Sequence, residues 1–194
     1  MPRISAPTVV EHRARQRQAV LDAAAQVALE HGGRGVTFAA VSARSGLARS
    51  SLYEYFSSPD ALLAELVVDS LDRVTAEVHS AVETQRDPRL RLRAYIRAVL
   101  RLADSGDRAL GRALSDLELP PECSAALGAM HERLTAPLVD ALAALGSAHP
   151  ARDAAYAQGV LDAAARRIES GGSPRSEAAA AEAYIVAALK PRDD

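Results

Sequence analysis

At 194 residues, 48% hydrophobic and 25% charged, the chain can build one well-cored domain or two small ones. Its single cysteine, Cys123, excludes an internal disulfide and a multi-cysteine metal cluster, and no apolar run approaches the ~18 residues a membrane span requires. The net charge of −2 hides an uneven distribution: up to Phe56, seven arginines face four acidic residues, a net of +3, whereas the remainder holds 16 basic and 21 acidic side chains, a net of −5.

Aromatic residues make up only 4% of an alanine-rich sequence, and the β-branched enrichment of strands is missing. An all-α protein of about nine helices is therefore expected. Residues 1–8, with two prolines and no apolar period, read as a loose arm. From Val9 to His31, Val20, Ala24, Val27 and Ala28 recur at helical spacing, and Gly32, Gly33 and Gly35 supply the stop. Thr37 is placed to cap a second helix, Phe38 to Ser45, which Gly46 ends. A third helix is expected from Ala48 to Phe56, with Leu52 and Phe56 four apart on its buried side. Two short helices joined by a glycine-containing turn form a helix-turn-helix.

Ser58 then caps and Pro59 opens a fourth helix of about 25 residues whose apolar face runs from Leu62 to Val82. Leu92, Ile96 and Val99 mark a fifth helix, Leu110, Leu114 and Leu117 a short sixth ended by Pro120-Pro121, and Leu127 to Leu142 a seventh bent at Pro137. The last two are expected at about Ala151 to Ser170 and Ser176 to Lys190. This divides the chain into a helix-turn-helix head, residues 1–56, and a helical body, residues 57–194.

The stretch TFAAVSARSGLARSSLYEYFSSPDAL, Thr37 to Leu62, resembles the N-terminal signature of TetR-family regulators. Its most diagnostic piece is Leu52-Tyr53-x-Tyr55-Phe56 followed by Ser58-Pro59-Asp60-Ala61-Leu62. The resemblance implies a regulator, typically a repressor, that binds a palindromic double-stranded operator as a homodimer and is released by a small-molecule effector. It also implies that Ser51, Tyr53 and Tyr55 touch DNA. The residue types agree: with Leu52 and Phe56 facing inward, Arg49, Ser50, Ser51, Tyr53 and Tyr55 fall largely on the other sides, where arginine forks onto guanine and hydroxyls reach phosphates. Thr37 and Ser58, at helix N-termini, complete the candidate DNA-binding set. The alternative for the tyrosines is that one of them completes the small core of the head, Tyr53 being the one placed to face the groove. Four positions depart from the family pattern: Ala48 where a capping Ser or Thr is usual, Ser42 and Ser45 in place of alanines, and Pro59 in place of a phosphate-binding lysine.

In the body, Ala155, Gly159 and Ala163, with Ala178, Ala181 and Ile185, form short faces that let helices approach closely. The resemblance implies that the last two helices pair across a two-fold axis; the alternative is packing within the chain. Arg89, Arg93, Arg97 and Arg101 recur every four residues, a stripe that repels itself unless acids or an anionic ligand stand opposite. The candidate ligand residues are Tyr95, Arg97, Arg101, Met130, His131 and Tyr156, each of which also suits a core or surface role. His131-Glu132 lacks a second histidine four residues on, and no nucleophile elbow, phosphate-binding loop or dinucleotide fingerprint is present. An enzyme is thus not expected, nor a catalytic residue, cofactor or metal. A helical interaction or small-molecule-binding protein without DNA function is the rival reading, and the N-terminus carries no basic and apolar leader, so the cytoplasm is the expected location.

Overall fold

The computed structural model describes residues 6–102, 110, 111, 113 and 121–189, with the side chains of 6–9 and 121–127 left aside. Among these residues the chain forms eight α-helices and no strand: α1 (Ala6–His31), α2 (Phe38–Ser45), α3 (Arg49–Tyr53), α4 (Pro59–Glu83), α5 (Pro88–Leu102), α6 (Pro121–Ala144), α7 (Pro150–Glu169) and α8 (Pro174–Ala188). The all-α expectation holds. Leu114 and Leu117, which with Leu110 marked a further short helix, lie outside the described residues, as do residues 1–5 of the expected arm and the side chain of Cys123. Ala6, Pro7 and Thr8 are not loose but form the first turn of α1, where proline's missing N–H has no intrahelical partner to lose.

Contacts group the chain into two units that divide within α4, one drawn from Met1–Ser70 and Ala109–Ser124, the other from Leu71–Arg108 and Ala125–Asp194. The first has a core of Val20, Ala24, Val27 and Ala28 from α1, Phe38 and Val41 from α2, Leu52 and Phe56, and Leu62, Leu63 and Leu66 from α4, with Leu110 added. The start of α4 thus packs into the same core as the helix-turn-helix.

The second unit buries Val78 and Val82 of α4, Leu92, Tyr95, Ile96 and Leu100 of α5, Leu138 and Leu142 of α6, Leu161 and Ile168 of α7, and Ala178, Ala181 and Ile185 of α8. Pro137 lies inside α6, where its lack of an N–H leaves the carbonyl of Arg133 without its helical donor. His79 of α4 fills that place: its Nε2 stands 2.8 Å from the Arg133 oxygen, and since a carbonyl only accepts, Nε2 carries the proton. The Arg133 side chain reaches back to Asp72 of α4 at 3.3 Å. Between α7 and α8 the chain turns on Gly171, at φ +95°, and on Gly172, where a Cβ would lie 2.8 Å from the Arg167 oxygen. Arg167 then grips the nearly buried Glu177 of α8 with two 2.9 Å contacts, closing the corner.

Candidate nucleic-acid interface

The helix-turn-helix forms where the sequence places it. Thr37 caps α2, its hydroxyl accepting from the Ala40 N–H at 3.2 Å, and Gly46 ends α2 at φ +74°, a conformation that costs glycine little. Ser42 and Ser45, the two departures beside the turn, both act on Leu47: the Ser42 hydroxyl donates to its carbonyl at 2.7 Å and the Ser45 oxygen accepts from its N–H at 3.4 Å. They fasten the turn that leads into α3. The expected contribution of side-chain capping at Ala48 is indeed missing, and α3 is only five residues long, shorter than the Ala48 to Phe56 span that periodicity suggested. The chain leaves the helix at Glu54, although the Phe56 N–H still reaches the Leu52 oxygen at 2.9 Å and keeps Phe56 in the core.

Around α3 the two flanks differ sharply. Leu52 is fully buried, while Arg49 and Ser50 are exposed, Ser51 is half-buried and Tyr53 is 63% exposed. Tyr53 is not loose: its ring meets that of Phe38 at 83° with centroids 4.7 Å apart, so the aromatic body has a partner although the residue as a whole stays exposed. Tyr55 takes the other role that the sequence left open. It is half-buried against the head core, donates its hydroxyl to Gln16 Oε1 at 2.6 Å, and lies under the Arg13 guanidinium, 5.8 Å from the ring centre. Ser58 is occupied as the cap of α4, accepting from the Ala61 N–H at 3.1 Å, and Thr37 stands exposed at the start of α2.

Two of the head's other arginines serve structure. Arg17 pairs with Glu65 of α4 and sits 5.3 Å over the Phe56 ring, and Arg44 pairs with Glu30 and Gln26 of α1. Arg49 has no such partner among the described residues, so its charge faces outward on the same flank as Ser50 and Tyr53.

Part of the head also matches a known family. The model of "Bacterial regulatory proteins, tetR family" matches residues 20–66, the span just described. Over these residues the head is similar to the TetR family. No curated protein matches the chain. Among solved structures, a protein from Pseudomonas aeruginosa PAO1 assigned as a transcriptional regulator is 20% identical, with a TM-score of 0.78 over 91% of both chains. A TetR-like transcriptional regulator from Rhodococcus sp. RHA1 is 21% identical, with a TM-score of 0.75 over 97% of this chain and 98% of that one. The regulator FadR from Bacillus subtilis, solved in complex with stearoyl-CoA, is 14% identical, with a TM-score of 0.72 over 87% of this chain and 97% of the other. What this chain shares with them is the fold.

The body residues singled out in the sequence differ in burial and partners. Tyr95 is fully buried, its hydroxyl accepting from Gln158 Nε2 at 2.7 Å, and burial raises its pKa from the ordinary value to about 12. Met130 is buried; His131, with Ala155 and Gln158, lines an open groove of about 380 Å³ between α6 and α7. Tyr156 lines a separate cleft with Tyr184. The arginine stripe is answered in part by acids: Glu182 holds Arg93 with bidentate contacts and raises its pKa, first by hydrogen bonding and then by charge. Glu77 stands 3.6 Å from Arg101, and Arg97 is exposed. Of these six candidates, His131 and Tyr156 line two different clefts.

The candidate dimer residues also split. Ala155, Gly159 and Ala163 are exposed on α7, but Ala178, Ala181 and Ile185 are 7%, 2% and 4% exposed and belong to the core of their own unit. The latter three pack within the chain, the alternative that the sequence left open. Small residues suit either use, and their spacing does not say which.

Proposed function

We propose that the chain is a ligand-responsive transcriptional regulator that lays α3 in the major groove of a palindromic operator. The supporting observation is the division of α3 into a buried flank, Leu52 with Phe56 beyond it, and an outward flank carrying Arg49, Ser50 and Tyr53. Arginine supplies a fork for guanine or phosphate, serine a short donor, and the fixed Tyr53 ring a surface for thymine methyls with a hydroxyl for the backbone. Ser51, Thr37 and the N–H groups behind Ser58 are the neighbouring phosphate contacts in this reading.

A five-residue helix reads few base pairs, so two copies read a palindrome together, with half-sites about 34 Å apart or multiples of that. The face proposed for the second copy is the exposed one: Ala155, Tyr156, Gly159 and Ala163 of α7 with Ala183 and Tyr184 of α8. The action proposed is repression, relieved when a small molecule binds the body. Because α4 has Leu62 and Leu66 in one core and Val78 and Val82 in the other, a displacement of its second half changes the separation of the two heads. A non-enzymatic, cytoplasmic role completes the reading.

The test is to incubate fragmented genomic DNA with the purified protein, sequence what is retained, and measure binding of the recovered duplex with and without stearoyl-CoA as a first trial ligand. Inverted repeats bound with steep salt dependence support the proposal. Retention that does not differ from that of an Arg49→Glu variant contradicts it. For the effector step, a ligand that abolishes binding while probes at the exposed Ala43 of the two heads keep their distance would refute the α4 mechanism.

A further inference from the structure

The recognition helix has little of its own to hold it. At five residues it is a single turn with a second begun, too short to be stable alone, and Ala48 gives it no side-chain cap. Its leading end is fixed by the Ser42 and Ser45 contacts to Leu47. Its trailing end is fixed from a different helix. Arg13, Gln16 and Arg17 lie three and four residues apart on α1, which places them on one face. Arg13 Nη2 donates to the carbonyl of Glu54 at 3.2 Å, at the C-terminal end of α3 where a cation is favoured. The same guanidinium covers the Tyr55 ring, and the Tyr55 hydroxyl donates to Gln16. Arg17 adds its contact over Phe56. All three residues from 54 to 56 are thus held by α1, while Tyr53 just before them is largely exposed.

We propose that Arg13 and Gln16 are positioning residues for DNA recognition: they hold the end of α3 through Glu54 and Tyr55, so that Arg49, Ser50 and Tyr53 meet the groove in one pose. Tyr55 then acts through α1 rather than on the duplex. Its consequence for DNA rests on the proposed function, but the hold on α3 does not. Loss of the hold loosens α3 and lowers discrimination between sequences, without removing a phosphate contact.

The experiment uses the full chain carrying Arg13→Ala, Gln16→Ala, Tyr55→Phe, the Gln16→Ala/Tyr55→Phe pair, or Gln16→Glu, which keeps an acceptor for the Tyr55 hydroxyl. Two quantities are read: amide exchange at Tyr55 and Phe56 relative to Val41 of α2, and the affinity ratio between the duplex retained from genomic DNA and a shuffled version of it. Each of the first three variants is expected to raise exchange at Tyr55 and Phe56 roughly fivefold and to lower the ratio roughly fivefold, the worth of one hydrogen bond. The pair should do no more than either single change, Gln16→Glu should match the unmodified chain, and the salt slope should stay constant. Unchanged exchange in all variants overturns the proposal. So does a salt slope shallower by about one for Arg13→Ala, since that is the mark of a phosphate ligand. If the unmodified chain retains no duplex, the DNA-binding reading fails, and exchange alone decides whether the hold on α3 exists.

Discussion

Both regions of the molecule expose tyrosines, and the company those tyrosines keep differs. In the head, Tyr53 is 63% exposed beside Arg49 and Ser50, groups that suit a polyanion. In the body, Tyr156 and Tyr184 are each 71% exposed beside Ala155, Gly159 and Ala183, groups that suit the close approach of another helix. An exposed ring is therefore no signal by itself. Its neighbours decide whether the surface is made for charge or for packing.

The sharpest way to break this comparison is to put one charge on each of two small-residue faces. Ala178→Glu, in the body core, should cost about 4 kcal/mol in denaturant unfolding, because the carboxylate has neither water nor a partner. Gly159→Glu, on the exposed face of α7, where an added Cβ meets nothing, should leave unfolding almost unchanged and instead shift the sedimentation of the protein toward monomer. If Gly159→Glu unfolds the chain or leaves its oligomeric state alone, the α7 face is not a seam between copies. Within the head, Leu52→Ala should destabilise by about 3 kcal/mol on thermal or chemical melting and abolish DNA binding with it.

Next in size is a pH effect in the body. Tyr95 titrates at about 12 when folded and near 10 when unfolded, so its contribution is whole below pH 10 and fades as pH rises toward 12. Unfolding measured across that window should show a loss of about 2 kcal/mol that Tyr95→Phe lacks. On the head surface, Tyr53→Phe keeps the ring contact to Phe38 and removes only the hydroxyl, so operator affinity should fall by about 1 kcal/mol with no change in melting. The smallest effect is a gain: Ala48→Ser supplies the missing cap of α3 and should stabilise the head by about 0.5 kcal/mol in the same melts.

Much of the head was legible because its signals are local. Thr37, Gly46, Ser58 and Pro59 each act within four residues of themselves, and the spacing of Leu52 and Phe56 names the buried flank without knowledge of the rest. The premature end of α3 was not legible, because the residues that hold it, Arg13 and Gln16, are about forty positions away. In the body most of the decisive contacts are of that remote kind. Pro137 announces a carbonyl without a donor, but nothing in the sequence points to His79 as its partner. Four arginines in register announce repulsion, but not that Glu182 and Glu77 relieve it. Ala178 and Gly159 belong to similar small-residue patterns with opposite fates, since an alanine face packs as well on its own chain as on a copy.

The most direct measurement titrates the duplex retained from genomic DNA with the unmodified chain and with an Arg49→Ala/Tyr53→Phe double variant over a range of salt concentrations. If the outward flank of α3 is the reading surface, the double variant binds the selected duplex at least tenfold more weakly, folds as before, and loses most of its preference over a shuffled duplex. Equal affinity and equal preference in the two proteins would mean that DNA, if bound at all, meets a different face of the head.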